Sequence, residues 1–112
     1  MIYLLDRKAT PAEIEAMSEE YGSMIKLAVD IRRNVLAGGG EMHADCEQVL
    51  LENGCEQDDI WGANWYPVDQ RIEFEALINI RPVQGNRGIL ISSEQIREQV
   101  DRVTREILGG IS

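Results

Sequence analysis

A chain of 112 residues has room for one domain of ordinary size and none for a second. Apolar types make up 44% and charged types 28%, too apolar for intrinsic disorder, so the chain is expected to fold by itself. Acids outnumber bases 20 to 11, and the net charge of −9 repels any partner held by phosphate neutralisation, which argues against nucleic acid.

Met1 to Leu5 is apolar but ends at Asp6, far short of the roughly 20 residues of a membrane span. It also lacks the charged start and cleavage site of a signal peptide, so a cytosolic protein with no membrane partner is expected. Ile2–Leu5 reads as a first strand. Thr10, Pro11 and Glu13 then form a helix start: Thr caps, Pro suits the first helical position, and Glu reaches back to close a capping box. Ile14, Met17 and Tyr21 share one face of this helix, and Gly22 is its natural stop.

From Ile25 the period becomes two, with Ile25, Leu27, Val29 and Ile31 on one side of a half-buried strand. Asn34 tolerates the positive φ of a tight turn, and Val35-Leu36-Ala37 returns, which predicts a hairpin. Gly38-Gly39-Gly40 ends it. A second helix is expected over about Glu41 to Glu52, with Met42, Cys46, Val49 and Leu50 on one stripe. Cys55 to Asp59 is a polar loop. Ile60–Tyr66 and Arg71–Arg81 alternate cleanly and predict a second hairpin around Pro67–Gln70. Residues 82–88 read as a loop, and Ile89–Ile91 as a brief strand. Ser92 or Ser93 caps a last helix lined by Ile96, Val100, Val103 and Ile107 and ended by Gly109-Gly110. The order is β-α-β-β-α-β-β-α: an α+β fold in two layers, a mainly antiparallel sheet with three amphipathic helices on one face.

Three places are candidates for chemistry. At the first, Gly38-Gly39-Gly40 runs from a strand into a helix start, where backbone N–H groups and the helix dipole suit an anion. The run lacks the spacing of a dinucleotide or nucleoside triphosphate loop, and glycines that merely close a tight strand-to-helix bend are the plainer explanation. Gly39 and Gly40 are carried as ligand-binding candidates; no cofactor is indicated.

The second is Glu41-Met42-His43-Ala44-Asp45-Cys46-Glu47. Residues two apart on a helix point about 200° from one another, so Glu41, His43 and Asp45 cannot converge. His43 has Cys46 or Glu47 within reach, too few ligands for a closed zinc site, and no metal is expected. A surface histidine paired to Glu47 is the plain alternative. In the first helical turn the imidazole would stay neutral, able to accept a hydrogen bond or act as a base supported by Asp45 or Asn64. Cys46 lies on the buried stripe, where a raised pKa makes a poor nucleophile. Cys46 and Cys55 form no metal or redox motif and are expected to be reduced, structural thiols.

The third is the second hairpin, whose outward face and following loop carry Asn64, Asn79, Arg81, Asn86 and Arg87 beside Trp61, Trp65 and Tyr66. Guanidinium forks suit carboxylate and phosphate, so Arg81 and Arg87 are the anion-binding candidates on an otherwise acidic chain. The alternative pairs Arg81 with a sheet-face acid such as Glu75 and leaves the loop amides to close turns.

Leu36-Ala-Gly-Gly-Gly-Glu-Met-His-Ala-Asp, Ile60-Trp-Gly-Ala-Asn-Trp-Tyr-Pro and Ile78-Asn-Ile-Arg-Pro-Val-Gln-Gly-Asn-Arg carry a resemblance. Together they are similar to a family of small prokaryotic proteins, frequent in cyanobacteria, catalogued as a domain of unknown function. The resemblance spans nearly the whole chain; it implies a prokaryotic cytosolic setting and no activity. The functional expectation is therefore a binding protein for a small anionic molecule or an acidic segment, using Gly39, Gly40, His43, Asn64, Asn79, Arg81, Asn86 and Arg87. A protein-interaction module or homodimer built on Trp61 and Trp65 is the alternative. An enzyme with His43 as base is a third reading.

Overall fold

Thr10 and Glu13 build the capping box that the sequence predicts: Glu13 N–H donates to Thr10 Oγ1 at 3.2 Å and Thr10 N–H to Glu13 Oε1 at 2.9 Å. In a computed structural model that describes residues 1–111, this box opens helix α1, Pro11–Met17, after strand β1, Tyr3–Leu5. The helix ends sooner than expected. Ser18 donates its hydroxyl to Ile14 O at 2.7 Å, and Gly22 N–H closes back on Ser18 O at 2.7 Å, so the last turn unwinds. Tyr21 thereby leaves the buried face and is exposed.

Strands β2, Ile25–Asp30, and β3, Val35–Gly38, form the expected hairpin, with Asn34 at φ 58° in its turn. Asp30 Oδ1 accepts from the N–H groups of Arg32 and Arg33, both at 2.9 Å, which turns the chain at the end of β2. Helix α2 covers His43–Glu52, starting two residues later than expected because Asp45 Oδ2 accepts from Met42 N–H at 3.1 Å. Strands β4, Ile60–Tyr66, and β5, Arg71–Glu73, pair around Gln70, φ 54°. Helix α3 spans Glu94–Leu108, capped by Ser93, whose hydroxyl accepts from Ile96 N–H at 3.2 Å.

The sheet has five strands in the order β1-β3-β2-β4-β5, every pair antiparallel. With three helices it is an α+β fold, as expected. The placement of α2 is not. Ile25, Leu27, Val29, Leu36, Ala63 and Trp65 pack with Ile14 and Met17 of α1 and Val100, Val103 and Ile107 of α3. Ala28, Ala37 and Ile60, on strand positions of the other parity, pack instead with Cys46 and Leu50 of α2. The helices thus occupy both faces in three layers, not one face in two. The reason is a row of small residues in register across three strands. Ala37 faces Ala28, and Ala28 faces Gly62, so the backbones of α2 and of the chain around Ile78 can approach closely. A Cβ on Gly62 would lie 2.5 Å from Ala76 Cβ.

The expected strand Arg71–Arg81 also stops early. Beyond Glu73 the chain keeps only two isolated bridges, Glu75 to Leu90 and Arg81 to Asn86, with short 3-10 segments at Leu77–Asn79 and Pro82–Gln84. Asn79 takes the place of a pairing strand beside β4. Its Oδ1 accepts from Gly62 N–H at 2.7 Å, and its Nδ2 donates to Gly62 O at 3.0 Å. One side chain here satisfies a backbone pair that would otherwise be buried unpaired. No helix of the chain is long and apolar enough to cross a membrane, among the described residues.

Candidate functional site

His43 opens α2 and leans across the sheet to β4. Its Nε2 lies 2.7 Å from Asn64 Oδ1 and 3.2 Å from Ala63 O. Both partners are acceptors, so Nε2 carries the proton and Nδ1 is an acceptor with no hydrogen bond among the described residues. Burial holds this imidazole below its ordinary pKa, partly offset by the Asn64 bond, and Lys26 pushes in the same direction as burial. The ring is neutral near pH 7.

Asn64 continues a polar row along the outward face of β4 and β5. Its Nδ2 lies 3.5 Å from Glu73 Oε1, which also accepts from Tyr66 Oη at 2.7 Å, while Arg71 Nη1 donates to Glu73 Oε2 at 3.1 Å. The Tyr66 bond, then Arg71 and Asn64, hold the Glu73 carboxyl below its usual range against a desolvation cost, and Glu73 in turn raises the Tyr66 hydroxyl. Arg71 stacks 3.9 Å from the Tyr66 ring centroid. The row orients Asn64, and through it His43.

His43 lines a cleft of about 330 Å³ between the start of α2 and residues 75–89. Met42, Ala44, Ile78 and Ile89 give it apolar walls, and Lys26 and Glu75 bring opposite charges to it. Lys26 is fixed by the sheet: it faces Asn64 across the β2–β4 pair, with Nζ 4.7 Å from the Tyr21 ring centroid.

The remaining candidates do not join this cleft. Arg81 is committed elsewhere, with Nη2 3.0 Å from Glu47 Oε2 and Nε donating to Ile78 O at 3.0 Å. The two side chains are 10% and 12% exposed, and Nη1 also binds Gln57 O. Burial lowers the Arg81 pKa, with Glu47 the main opposing influence. Its partner is Glu47 of α2, neither the proposed anion nor Glu75, and Glu47 is correspondingly not the partner of His43. Asn79 and Asn86 are buried with their hydrogen-bonding groups in use. Asn86 Nδ2 donates to the carbonyls of Asn79, Gly88 and Leu90 at 2.8, 3.0 and 3.0 Å, and its Oδ1 accepts from Ser92 N–H and Oγ, both at 2.8 Å. Arg87 is exposed and outside the cleft lining.

Gly39 and Gly40 are buried against the chain's own atoms. Gly39 has φ 101°, its N–H donates to Lys26 O at 3.1 Å, and a Cβ there would lie 2.3 Å from Met1 O. A Cβ on Gly40 would meet Cys46 Sγ at 3.1 Å. The glycines let the bend close; they present no cradle. Trp61 and Trp65 are 1% and 0% exposed, so neither is a surface anchor. Cys46 is fully buried, which pushes its thiol up to about 11, and Cys55 is pushed up to about 11 by burial and then by Asp30. Among the described residues no group of three His, Cys, Asp or Glu is placed to hold a metal ion.

The matching family model covers residues 3–107 and carries the description "Protein of unknown function (DUF5674)". The chain belongs to the DUF5674 family. No curated protein and no solved structure matches it. For this DUF5674 chain the sequence names His43 and Asn64 as candidates, and the structure brings those two together. It does not name Lys26, Glu73 or the apolar residues that the structure places around them. Register supplies the missing signal for Lys26: pairing β2 with β4 puts it opposite Asn64.

Proposed function

We propose that this chain is a binding protein whose cleft beside His43 takes a small molecule with an apolar body and one carboxylate-like head. The observation that carries the reading is His43 itself: Asn64 orients it by Nε2, its Nδ1 has no hydrogen bond among the described residues, and the ring lines a largely apolar cleft. Ligand pockets run from about 300 to 1,000 Å³ and are mostly apolar with few polar groups, which fits this one. Lys26 would pair with the anionic head. With that charge compensated, the imidazole can take up a proton, and Nδ1–H then donates to the same head while Nε2–H keeps Asn64. Binding would draw in a proton.

A thermal-shift series with small carboxylates of increasing apolar length tests this. A ligand at a hundred times its Kd stabilises by about 2.7 kcal/mol, which raises Tm by about ten degrees in a domain of this size. The rise should vanish in His43→Ala, shrink in Lys26→Ala and persist in Arg87→Ala. No saturable rise with any carboxylate, or a rise unchanged in His43→Ala, contradicts the reading. A carboxylate presented by an acidic peptide segment would use the same two groups and is compared in the same series. A prokaryotic cytosolic setting belongs to the same proposal; two buried cysteines without a disulfide are in keeping with a reducing compartment.

A further inference from the structure

Residues 74–91 combine two features that a mere connection has no need of. Outward, Leu77 is 69% exposed, Val83 101%, Leu90 50% and Ile80 44%. Inward, the segment is pinned from below by the complete hydrogen bonding of Asn79 and Asn86, by the buried Arg81–Glu47 pair, and by Gln84 Nε2 donating to Asp58 O at 3.0 Å. Apolar side chains are thus presented on backbone that is already ordered, so little conformational entropy remains to be lost on contact. Exposed aliphatics gathered in one segment mark an interaction surface more often than scattered ones do.

Leu77, Ile80 and Val83 form one wall of a groove of about 520 Å³, and Gln57 and Asp58 form part of the other. The groove's cation, Arg81, is already neutralised by Glu47. The groove's charged lining residues are Glu47, Asp58 and Arg81; with Arg81 paired to Glu47, the exposed Asp58, in no ion pair among the described residues, leaves the lining net negative. The whole chain carries −9. A second copy would bring the same charge to the same lining, whereas a basic segment is attracted by both lining and molecule.

We propose that the groove between Gln57–Asp59 and residues 77–84 docks a basic amphipathic segment of another protein, its apolar residues on Leu77, Ile80 and Val83 and a Lys or Arg on Asp58. This surface is distinct from the His43 cleft, although Leu77 and Ile78 border both.

The test is fluorescence anisotropy with a labelled helix-forming peptide of Leu and Lys at amphipathic spacing. Two comparators accompany it: the same peptide with Glu for Lys, and a scramble of the same composition with no apolar face. The amphipathic basic peptide should bind at least tenfold tighter than either. Val83→Asp should weaken it at least tenfold without moving Tm, because that side chain is fully exposed, and His43→Ala should leave it unchanged. Equal binding of the scramble would show a general field effect and overturn the proposal, as would insensitivity to Val83→Asp. A concentration-dependent dimer abolished by Val83→Asp in sedimentation equilibrium would overturn it as well, since the occupant would then be a second copy.

Discussion

His43 is the chain's single histidine, and its surroundings give it two measurable properties. Its folded pKa is depressed below the ordinary 6.5 by burial, so the unfolded chain binds the proton more readily. Stability is then fully present above about pH 6.5 and falls as the pH drops through the folded value, by at most about 1.4 kcal/mol per pH unit for one proton. Urea melts at pH 7.5 and 5.5 should show a loss at the lower pH that His43→Gln reduces. A loss undiminished in that variant would contradict the burial of the ring. Chemistry of this kind was legible in the sequence only as a list of polar residues. His43 and Asn64 were in it because their types and their elements suit a site. Arg81 suits a site by the same criteria, but its guanidinium is committed to Glu47, on a helix whose side of the sheet the sequence does not reveal.

Local signals served well wherever an element is governed by its own residues. The Thr10–Glu13 box, the Asn34 turn and the Ser93 cap all act over three or four positions, and all are present. Alternation failed at Arg71–Arg81, where a tertiary contact overrides it. Asn79 satisfies the Gly62 backbone in place of a strand, and Ala76 and Ile78 fold down onto the glycine. Removing that side chain in Asn79→Ala leaves a buried N–H and a buried carbonyl unpaired, at about 1–3 kcal/mol for each group. Chemical denaturation should therefore report a loss of about 2 kcal/mol or more; a loss under 0.5 kcal/mol would show that another group fills the role. Gly62→Ala should cost about 1–3 kcal/mol by overpacking, since the new methyl meets Ala76 Cβ and Ile78 within van der Waals contact. A neutral result there would mean that the segment moves aside freely, against the rigidity inferred for it.

At the scale of the molecule, the α+β class and the antiparallel sheet follow from hairpin signals, but the number of layers does not. Lys26, Ala28 and Asp30 read as a wet strand face, yet Ala28 lies beneath α2 and Asp30 is fully buried. Small size, not hydrophobicity, admits the second layer, and period-two patterns do not record size. The same ambiguity hid Trp61 and Trp65, which suit a surface anchor by type and fill the core by position. What the three layers leave open is the polar stretch of β4 and β5, with His43 at its end and the apolar cleft beside it. The proposed coupling between an anionic ligand and His43 is read most directly by NMR titration of the single imidazole, with and without a saturating small carboxylate. The midpoint should lie below 6.5 in the free protein and rise when the carboxylate is bound; a midpoint that the carboxylate leaves unmoved would contradict binding at His43.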